Sequence, residues 1–270
     1  MVARHGDAKL DVANGINNQA GLIAAEQLLQ MSNQALQNQL GYLQANTIDI
    51  NTHNQRFDNT QGSLLAQQTL TLNSGQIDNL QGSIQSGSDM LIDTHGEQLN
   101  NTQSGDNKGI YAQGGLTLTT GELNNEQGRL VAKDTLKLNS QGVNNQQGLV
   151  GSQSELSMST QQLDNREGVI KGHSVSIDTQ GQKLTNLAKK ADQGIFASQN
   201  LAMTVGELIN RQGQIQANQI SLDSQKKRVD NTEGEILAVN NLTANTGHWI
   251  TNKVDFKQES SSHSTPMASR

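Results

Sequence analysis

Aspartates recur at one place of a repeated pattern and are the first candidates for chemistry in this sequence. Asp58, Asp78, Asp164 and Asp230 each stand directly before an asparagine. Glycoside hydrolysis needs two carboxylates that flank the sugar linkage, so this column suggests a carbohydrate-active enzyme, either a polysaccharide lyase or a glycosidase. Such a site also needs clustered charged groups in a groove. The aspartates instead come one per repeat beside turn residues, which favours hydrogen bonding at a solvated corner, and we predict no catalytic residue.

Metal and cofactor chemistry has little support in the residue types. The chain has six histidines and no cysteine. His53 and His95 follow Ile50 and Ile92 at the same distance, but neither has the acidic or cysteine neighbours of a metal site. The calcium-binding nonapeptide, the phosphate-binding loop and the dinucleotide fingerprint do not occur. We therefore predict no metal site and no cofactor.

The composition excludes several other classes of function. Of 270 residues, 33% are hydrophobic and only 2% aromatic, whereas 29 are asparagine and 34 are glutamine. A net charge of −6 argues against nucleic acid as the main partner. No apolar run reaches the roughly 18 residues that a membrane-spanning helix requires. The amide content is typical of disorder, but the strict register of the apolar residues is not.

A repeat of about twenty residues organises the chain. One apolar residue recurs at steps of 20 or 21, with two longer steps of 26 and 25. The residue two positions later is always alanine, serine or glycine. The apolar column consists of Ile23, Leu43, Leu64, Ile84, Ile110, Leu130, Val150, Ile170, Ile195, Ile215 and Ile236.

Each repeat also carries an apolar residue two positions before an asparagine, and in nine copies a glycine follows three positions after it. We expect the asparagines to stack as an amide ladder along the molecule, and the glycine to adopt a positive φ at the corner. The predicted ladder consists of Asn59, Asn79, Asn125, Asn145, Asn165, Asn210 and Asn231.

Three short segments of alternating apolar residues per repeat predict three strands per coil. The sequence therefore predicts an all-β fold, a three-sided parallel β-helix of about 20 residues per coil and about 11 coils. Stacking at the strand spacing makes a rod of roughly 50 Å. A leucine-rich repeat is the competing solenoid, but it needs a helix-forming return segment, and returns such as "NLQGS" are typical of turns.

We divide the chain into three parts on this basis. Residues 1–9 are a leader or a preceding coil, residues 10–252 are the β-helix, and the serine-rich residues 253–270 are a disordered tail. Trp249 ends the periodic region, where it caps the rod or joins it to the next coil, the less favoured alternative being an exposed platform for a sugar.

The two longer steps place extra residues at the same corner, at 102–109 and 187–194. Residues 92–125 and 177–210 align without gaps, and 15 of the 34 positions are identical. Strand alternation points Tyr111 and Phe196 outward beside these loops. Either each loop covers its own aromatic residue, or loop and aromatic residue contact a partner. For the second alternative the candidate contacts are Tyr111, Phe196, Asp106, Lys108, Lys189 and Lys190.

The repeated columns resemble the haemagglutinin repeats of filamentous haemagglutinins and of contact-dependent growth inhibition exoproteins. The shared pattern is an apolar residue, then Asp or Asn, then Asn-x-x-Gly-x-apolar-x-Ala/Ser. Copies include "IDNLQGSIQS" (77–86), "LNNEQGRLVA" (123–132) and "LDNREGVIKG" (163–172). The resemblance covers about residues 10–245, and the eleven copies in register make it specific.

This resemblance implies a right-handed parallel β-helix within a long secreted fibre. It implies export through an outer-membrane transporter of the two-partner type, and display on a Gram-negative cell for adhesion or toxin delivery. The segment would serve as rigid stalk, as a region that binds a target-cell receptor (protein or glycan), or as both. The two long coils depart from plain stalk repeats and favour recognition.

Overall fold

The computed structural model describes residues 1–251, which form a solenoid of parallel β-strands without a helix. Every strand pairs with the strand one coil away, about twenty residues earlier or later, as Leu64 pairs with Ile84. The predicted all-β, three-sided parallel β-helix is thus confirmed, with twelve turns where the sequence suggested about eleven. The predicted tail at 253–270, and residue 252 before it, lie outside the described residues.

The first side of the solenoid carries the strands that end on the small-residue column. Two long strands near the C-terminal end, Gln214–Asp223 and Glu235–Asn245, run through both the first and the second side. The other strands of the first side are Val2–Ala3, Leu22–Ala25, Tyr42–Ala45, Ser63–Ala66, Ser83–Ser86, Gly109–Ala112, Arg129–Ala132, Leu149–Ser152, Val169–Gly172 and Gly194–Ala197.

The second side follows after a sharp bend at the small residue, which leaves room for the chain to turn. Its strands pair with one another from coil to coil, and the two long strands join this side to the first side in one sheet. Its remaining strands are Ala8–Val12, Leu28–Asn33, Thr47–Asn51, Leu70–Asn73, Met90–Asp93, Leu116–Thr119, Leu136–Asn139, Glu155–Ser159, Ser174–Asp178 and Asn200–Thr204.

The third side is a separate sheet of twelve very short strands, and the first eleven each end one residue before an asparagine of the column. Trp249 lies in the last of them, opposite Val229, and packs partly buried against the core. These strands are Ile16–Asn17, Leu36–Gln37, Phe57–Asp58, Ile77–Asp78, Leu99–Asn100, Glu122–Asn124, Gly142–Asn144, Gln162–Asp164, Leu184–Thr185, Leu208–Ile209, Arg228–Asp230 and His248–Ile250.

Alternation along each strand sends one set of side chains into a single apolar column. Leucine, isoleucine and valine from all three sides fill it, and most are almost completely buried. The core column continues through the long coils, because Ile110 pairs with Ile84 and Ile195 pairs with Ile170. The extra residues therefore leave the rod at a corner without displacing the strands on either side.

Candidate partner-contact site

A continuous row of asparagine amides runs along one corner of the rod, beneath both loops. Each Nδ2 donates to the Oδ1 of the asparagine one coil later, at 2.6 to 2.8 Å, and all ten steps point the same way. Every side chain in it is at most 6% exposed. Aligned amides polarise one another. Removing one from this buried row would leave buried polar groups of its neighbours unsatisfied, which would lower the stability of the fold.

The ladder contains four asparagines beyond the seven that the sequence analysis named. The seven are Asn59, Asn79, Asn125, Asn145, Asn165, Asn210 and Asn231, and the four are Asn18, Asn38, Asn101 and Asn186. All four follow an apolar residue two positions earlier, so the same pattern could have found them. In the loop-bearing coils, no glycine follows three positions after Asn101 or Asn186, which hides them from a search that requires it.

The prediction that the glycine of each plain coil takes a positive φ is wrong. The residue before it does so instead, as Gln61 shows with a φ of 56°. Gly62 is required for space, since a Cβ there would overlap the carbonyl oxygen of Asn38 and crowd Oδ1 of Asn59. The glutamines at the left-handed position form an outer row of their own, with Gln61 Nε2 3.0 Å from Gln81 Oε1.

The first loop, residues 102–109, closes onto the coil before it. Nine positions separate Asn101 from the core residue Ile110, against five in a plain coil. Lys108 and Asp106 are exposed, and the Lys108 ammonium donates to the carbonyl oxygen of Gln81 at 2.9 Å. This hydrogen bond holds the end of the loop against the plain coil beneath it.

The Ser104 side chain replaces the backbone carbonyl acceptor that is lost where the first loop leaves the coil. In a plain coil the first residue of a first-side strand donates its N–H to the previous glycine carbonyl, as Leu149 does to Gly128 at 2.9 Å. Next to the first loop, the N–H of Arg129 donates instead to Ser104 Oγ at 3.2 Å. Ser104 is 2% exposed, so the start of this loop belongs to the scaffold rather than to a contact surface.

The second loop, residues 187–194, has the same extra length but is held differently. Lys189 Nζ lies 2.8 Å from Oε1 of Glu167 in the previous coil. The backbone N–H groups of Lys189 and Lys190 both donate to Gln193 Oε1, at 2.8 and 3.0 Å. The loop is thus tied within itself and by one ion pair, and both lysines remain exposed.

Tyr111 and Phe196 occupy the same outward column and are both half-buried. Tyr111 pairs with Gln85 and Val131 in the neighbouring coils, whereas Phe196 pairs with Lys171 and Gln216. Four coil steps separate the two rings, or roughly 19 Å at the usual strand spacing. Their settings therefore differ although their positions in the coil are equivalent.

Two shallow depressions flank Phe196. The one toward the second loop has Leu149 and Val169 on its floor and residues 190–193 as its wall. The matching outward positions before the first loop hold Ser63 and Ser83. The other depression lies on the far side of the ring and includes Lys171, His173, Ser198, Gln216, Asn218 and Leu237.

The aspartates of the third side are engaged in turns and ion pairs. Each of Asp58, Asp164 and Asp230 accepts the backbone N–H two residues later. Arginine is close as well: Arg166 contacts Asp164 at 2.6 Å, and Arg56 bridges Asp58 and Asp78 at 2.8 and 2.6 Å. The column thus lines a hydrogen-bonded corner, but the corner is only partly solvated, because Asp58 and Asp230 are 5% and 1% exposed.

Two of these carboxyl groups have shifted pKa values. The hydrogen bond from Arg211, aided by Thr232, holds the pKa of Asp230 well below its usual range. Burial is the largest single influence on the pKa of Asp78 and raises it, but hydrogen bonds from Asn100 and Arg56, with Gln76, outweigh burial and lower the pKa. Both side chains are therefore ionised throughout the neutral range.

A second buried polar row, which the sequence analysis missed, lies where the second side ends. Thr52 Oγ1 donates to Ser74 Oγ at 3.1 Å, and Thr94 likewise reaches Thr120 at 3.1 Å. The column is hard to see in sequence because it changes residue type, with Val205 in place of a hydroxyl in one coil. It gives this corner internal hydrogen bonds between coils, as the asparagines give the other.

Within residues 1–251, no three histidine or acidic side chains come together as a metal site would require. His53 bonds to Ser32 Oγ at 3.0 Å and His95 lies 4.0 Å from Asp93, so each has a local partner. In that same stretch, none of the secondary structure is a helix with the length and apolar character needed to cross a membrane.

In the comparison with protein families, the chain matches the haemagglutinin repeat, and the matches tile almost the whole chain. The matched residues are 3–61, 43–103, 92–145, 139–188, 185–252 and 221–261. The search of curated proteins and the search of solved structures each gave no match. The strand register, the asparagine ladder and this coverage agree, and the chain belongs to the haemagglutinin repeat family, as a segment of a filamentous haemagglutinin-like fibre.

Proposed function

We propose that this chain is a stiff part of a secreted fibre that contacts a receptor on a target cell through its long coils. In this proposal the parent protein leaves the cell through an outer-membrane transporter of the two-partner type. It is then displayed on a Gram-negative surface, for attachment or for delivery of a toxin, including contact-dependent growth inhibition. Family membership supports the fibre, and one structural observation supports the contact.

That observation is the unbroken ladder beneath both loops. Asn101 and Asn186 keep their hydrogen bonds at 2.7 to 2.8 Å on both sides although four extra residues follow each of them. A loop that leaves a rigid scaffold without disturbing it is the usual arrangement of a binding loop. The candidate contacts are the exposed Asp106, Lys108, Lys189 and Lys190 with the half-buried Tyr111 and Phe196.

Replacing each loop by a plain turn tests the proposal. One glycine in place of residues 104–108 leaves Asn101-Thr102-Gln103-Gly before Gly109, and this matches the turn at 59–62. One glycine in place of residues 189–193 leaves Asn186-Leu187-Ala188-Gly, and this matches the turn at 18–21, where Ala20 already has a positive φ of 49°. Both variants keep the ladder and the strand register, so they should fold.

We expect the second replacement to abolish attachment of the purified fibre segment to target cells, and the first to weaken it less. The measurement is binding of the fluorescently labelled segment to whole cells. Circular dichroism and urea unfolding serve as controls for the fold. If the protein with both loops replaced is folded and still attaches fully, the loops are not the contact and the proposal is wrong.

A further inference from the structure

The surface on the far side of Phe196 has the features of a saccharide site. We call it the Phe196 groove and define it by Phe196, Lys171, His173, Gln216, Asn218 and Leu237. It is a shallow depression on the outward face of the first side. Apolar carbon and polar groups alternate along it, unlike the depression under the second loop, whose floor is aliphatic.

An apolar surface is present for the carbon face of a sugar ring. Phe196 is half-buried in the strand face, Leu237 is half-buried two coils further along in the same outward column, and Val239 beside it is 62% exposed. Aromatic and aliphatic surfaces of this size bind the C–H faces of sugars and leave the hydroxyl groups for polar neighbours.

Those polar neighbours are held in place before any ligand arrives. Asn218 donates to Gln199 Oε1 at 3.1 Å and accepts from Asn240 at 2.6 Å, so three amides stand in a row across three coils. Gln216 Nε2 contacts Glu235 Oε2 at 3.2 Å. Because each amide is already oriented, a bound saccharide would not have to order these side chains, which lowers the entropic cost of binding.

Hydroxyl groups at the edge of the groove add hydrogen-bonding capacity. His173 Nδ1 lies 2.9 Å from Ser198 Oγ. Ser152 is 91% buried, with a relative exposure of 9%, and its Oγ has no hydrogen-bond partner among the described residues. A buried hydroxyl without a protein partner can hydrogen-bond to a water molecule or to a hydroxyl group of a ligand.

Charge distinguishes the kind of saccharide. Lys171 stands beside Phe196 in the adjacent coil and is exposed, and Lys190 lies across the ring on the second loop. Within residues 1–251 neither ammonium group makes an ion pair, whereas Lys189 is neutralised by Glu167. Two unpaired ammonium groups on either side of an aromatic ring favour a ligand that carries carboxylate groups.

We propose that the Phe196 groove binds a saccharide chain that contains an acidic sugar. One ring lies against Phe196, its hydroxyls meet Gln216 and Asn218, and Lys171 binds its carboxylate, while a neighbouring sugar of the chain lies against Leu237. The inference rests on the proposed function, since it names the class of receptor that the second long coil recognises. An acidic peptide is the other ligand that the lysines would attract, and the test includes it as a competing outcome.

Binding of defined probes tests the inference on the intact segment. The acidic probes are tetragalacturonic acid and a hyaluronan tetrasaccharide, the neutral probe is maltotetraose, and an acidic hexapeptide of alternating Asp and Phe represents the peptide class. Calorimetry gives the affinities, and amide chemical shifts give the location. We expect at least one acidic saccharide to bind more tightly than maltotetraose and the peptide, with shifts confined to residues around Phe196.

Variants then separate the groove from the rest of the rod. Phe196→Ala should weaken binding about tenfold and Lys171→Gln about fivefold, while Phe196→Tyr keeps it. Leu65→Ala is the matched control, because Leu65 lies in the same outward column in a plain coil, with Gln44 in the position of Lys171, and it should change nothing. Urea unfolding shows whether Phe196→Ala is folded.

The inference is overturned if neither acidic saccharide binds, if the peptide binds more tightly, or if Leu65→Ala weakens binding as much as Phe196→Ala. These outcomes are separable from the fate of the proposed function. Loss of cell attachment on loop replacement, together with no saccharide binding, leaves the proposed function standing and removes only the acidic saccharide. Saccharide binding without cell attachment would leave the saccharide site standing and remove the role in attachment.

Discussion

The two long coils have equal added length and equal register, yet one loop closes and the other leaves an open surface. Lys108 reaches back to the Gln81 carbonyl and fixes the first loop on a polar coil. Lys189 instead pairs with the Glu167 side chain, and the second loop stands over Leu149 and Val169. The loop sequence alone does not decide the outcome. The outward residues of the two preceding coils decide the outcome. Where they are polar, the loop packs onto them, and where they are aliphatic, the loop forms one wall of an open depression.

The ladder is what the two coils share, and removing it should cost most. Asn101→Ala and Asn186→Ala each remove the ladder acceptor of the asparagine in the coil before and the ladder donor of the asparagine in the coil after. Both variants should lose about 3 kcal/mol in free energy of unfolding, measured by urea denaturation. Asn107→Ala, at an exposed position of the first loop, is the control. A loss below about 1 kcal/mol in only one ladder variant would mean that the long coils do not share one scaffold.

Acid should affect the surroundings of the two loops unequally. Asp78 accepts a hydrogen bond from Asn100, which lies next to the first loop. Asp230 accepts one from Arg211, which lies one coil after the second loop. Both have a lowered pKa, so their stabilisation is complete above the ordinary aspartate value of 3.8 and is lost as the pH falls below it. The lowering is greater for Asp230.

We therefore expect Asp230→Asn to destabilise the fold at pH 6 more than Asp78→Asn does. The difference between wild type and either variant should shrink at pH 3, in urea unfolding at both pH values. A difference that stays constant with pH for Asp230→Asn would show that its carboxylate stabilises the fold through shape and not through charge.

The smallest expected effect concerns the lysines that tie the loops. Lys108→Met and Lys189→Met should each change the free energy of unfolding by no more than about 0.5 kcal/mol, because both ammonium groups are exposed. Their loops should still respond differently to salt. The rate of hydrogen exchange in the second loop should rise in about 0.5 M NaCl, because that much salt screens an exposed ion pair. The rate in the first loop should stay unchanged. Equal responses would remove this distinction between the loops.

The strand register was predictable, because Ile110 with Ala112 and Ile195 with Ala197 keep the apolar and small columns through both insertions. The corner of the loops follows from the same counting. The glycine conformation was not predictable, since the need for space at Gly62 comes from Asn38, a residue 24 positions earlier that contacts it only after the coils stack. The open groove beside Phe196 depends likewise on Lys171 and Leu237, which lie in other coils.

The one-way ladder has a consequence for the order of assembly. Each asparagine donates to a residue that comes later in the chain, so a rod that grows from its N-terminus always ends in an unfilled donor, and the next coil brings the acceptor. The end of the rod is therefore a template to which a new coil adds in one direction only, from the N-terminus toward the C-terminus. If the chain emerges N-terminus first, the rod then grows by adding one coil at a time to its C-terminal end.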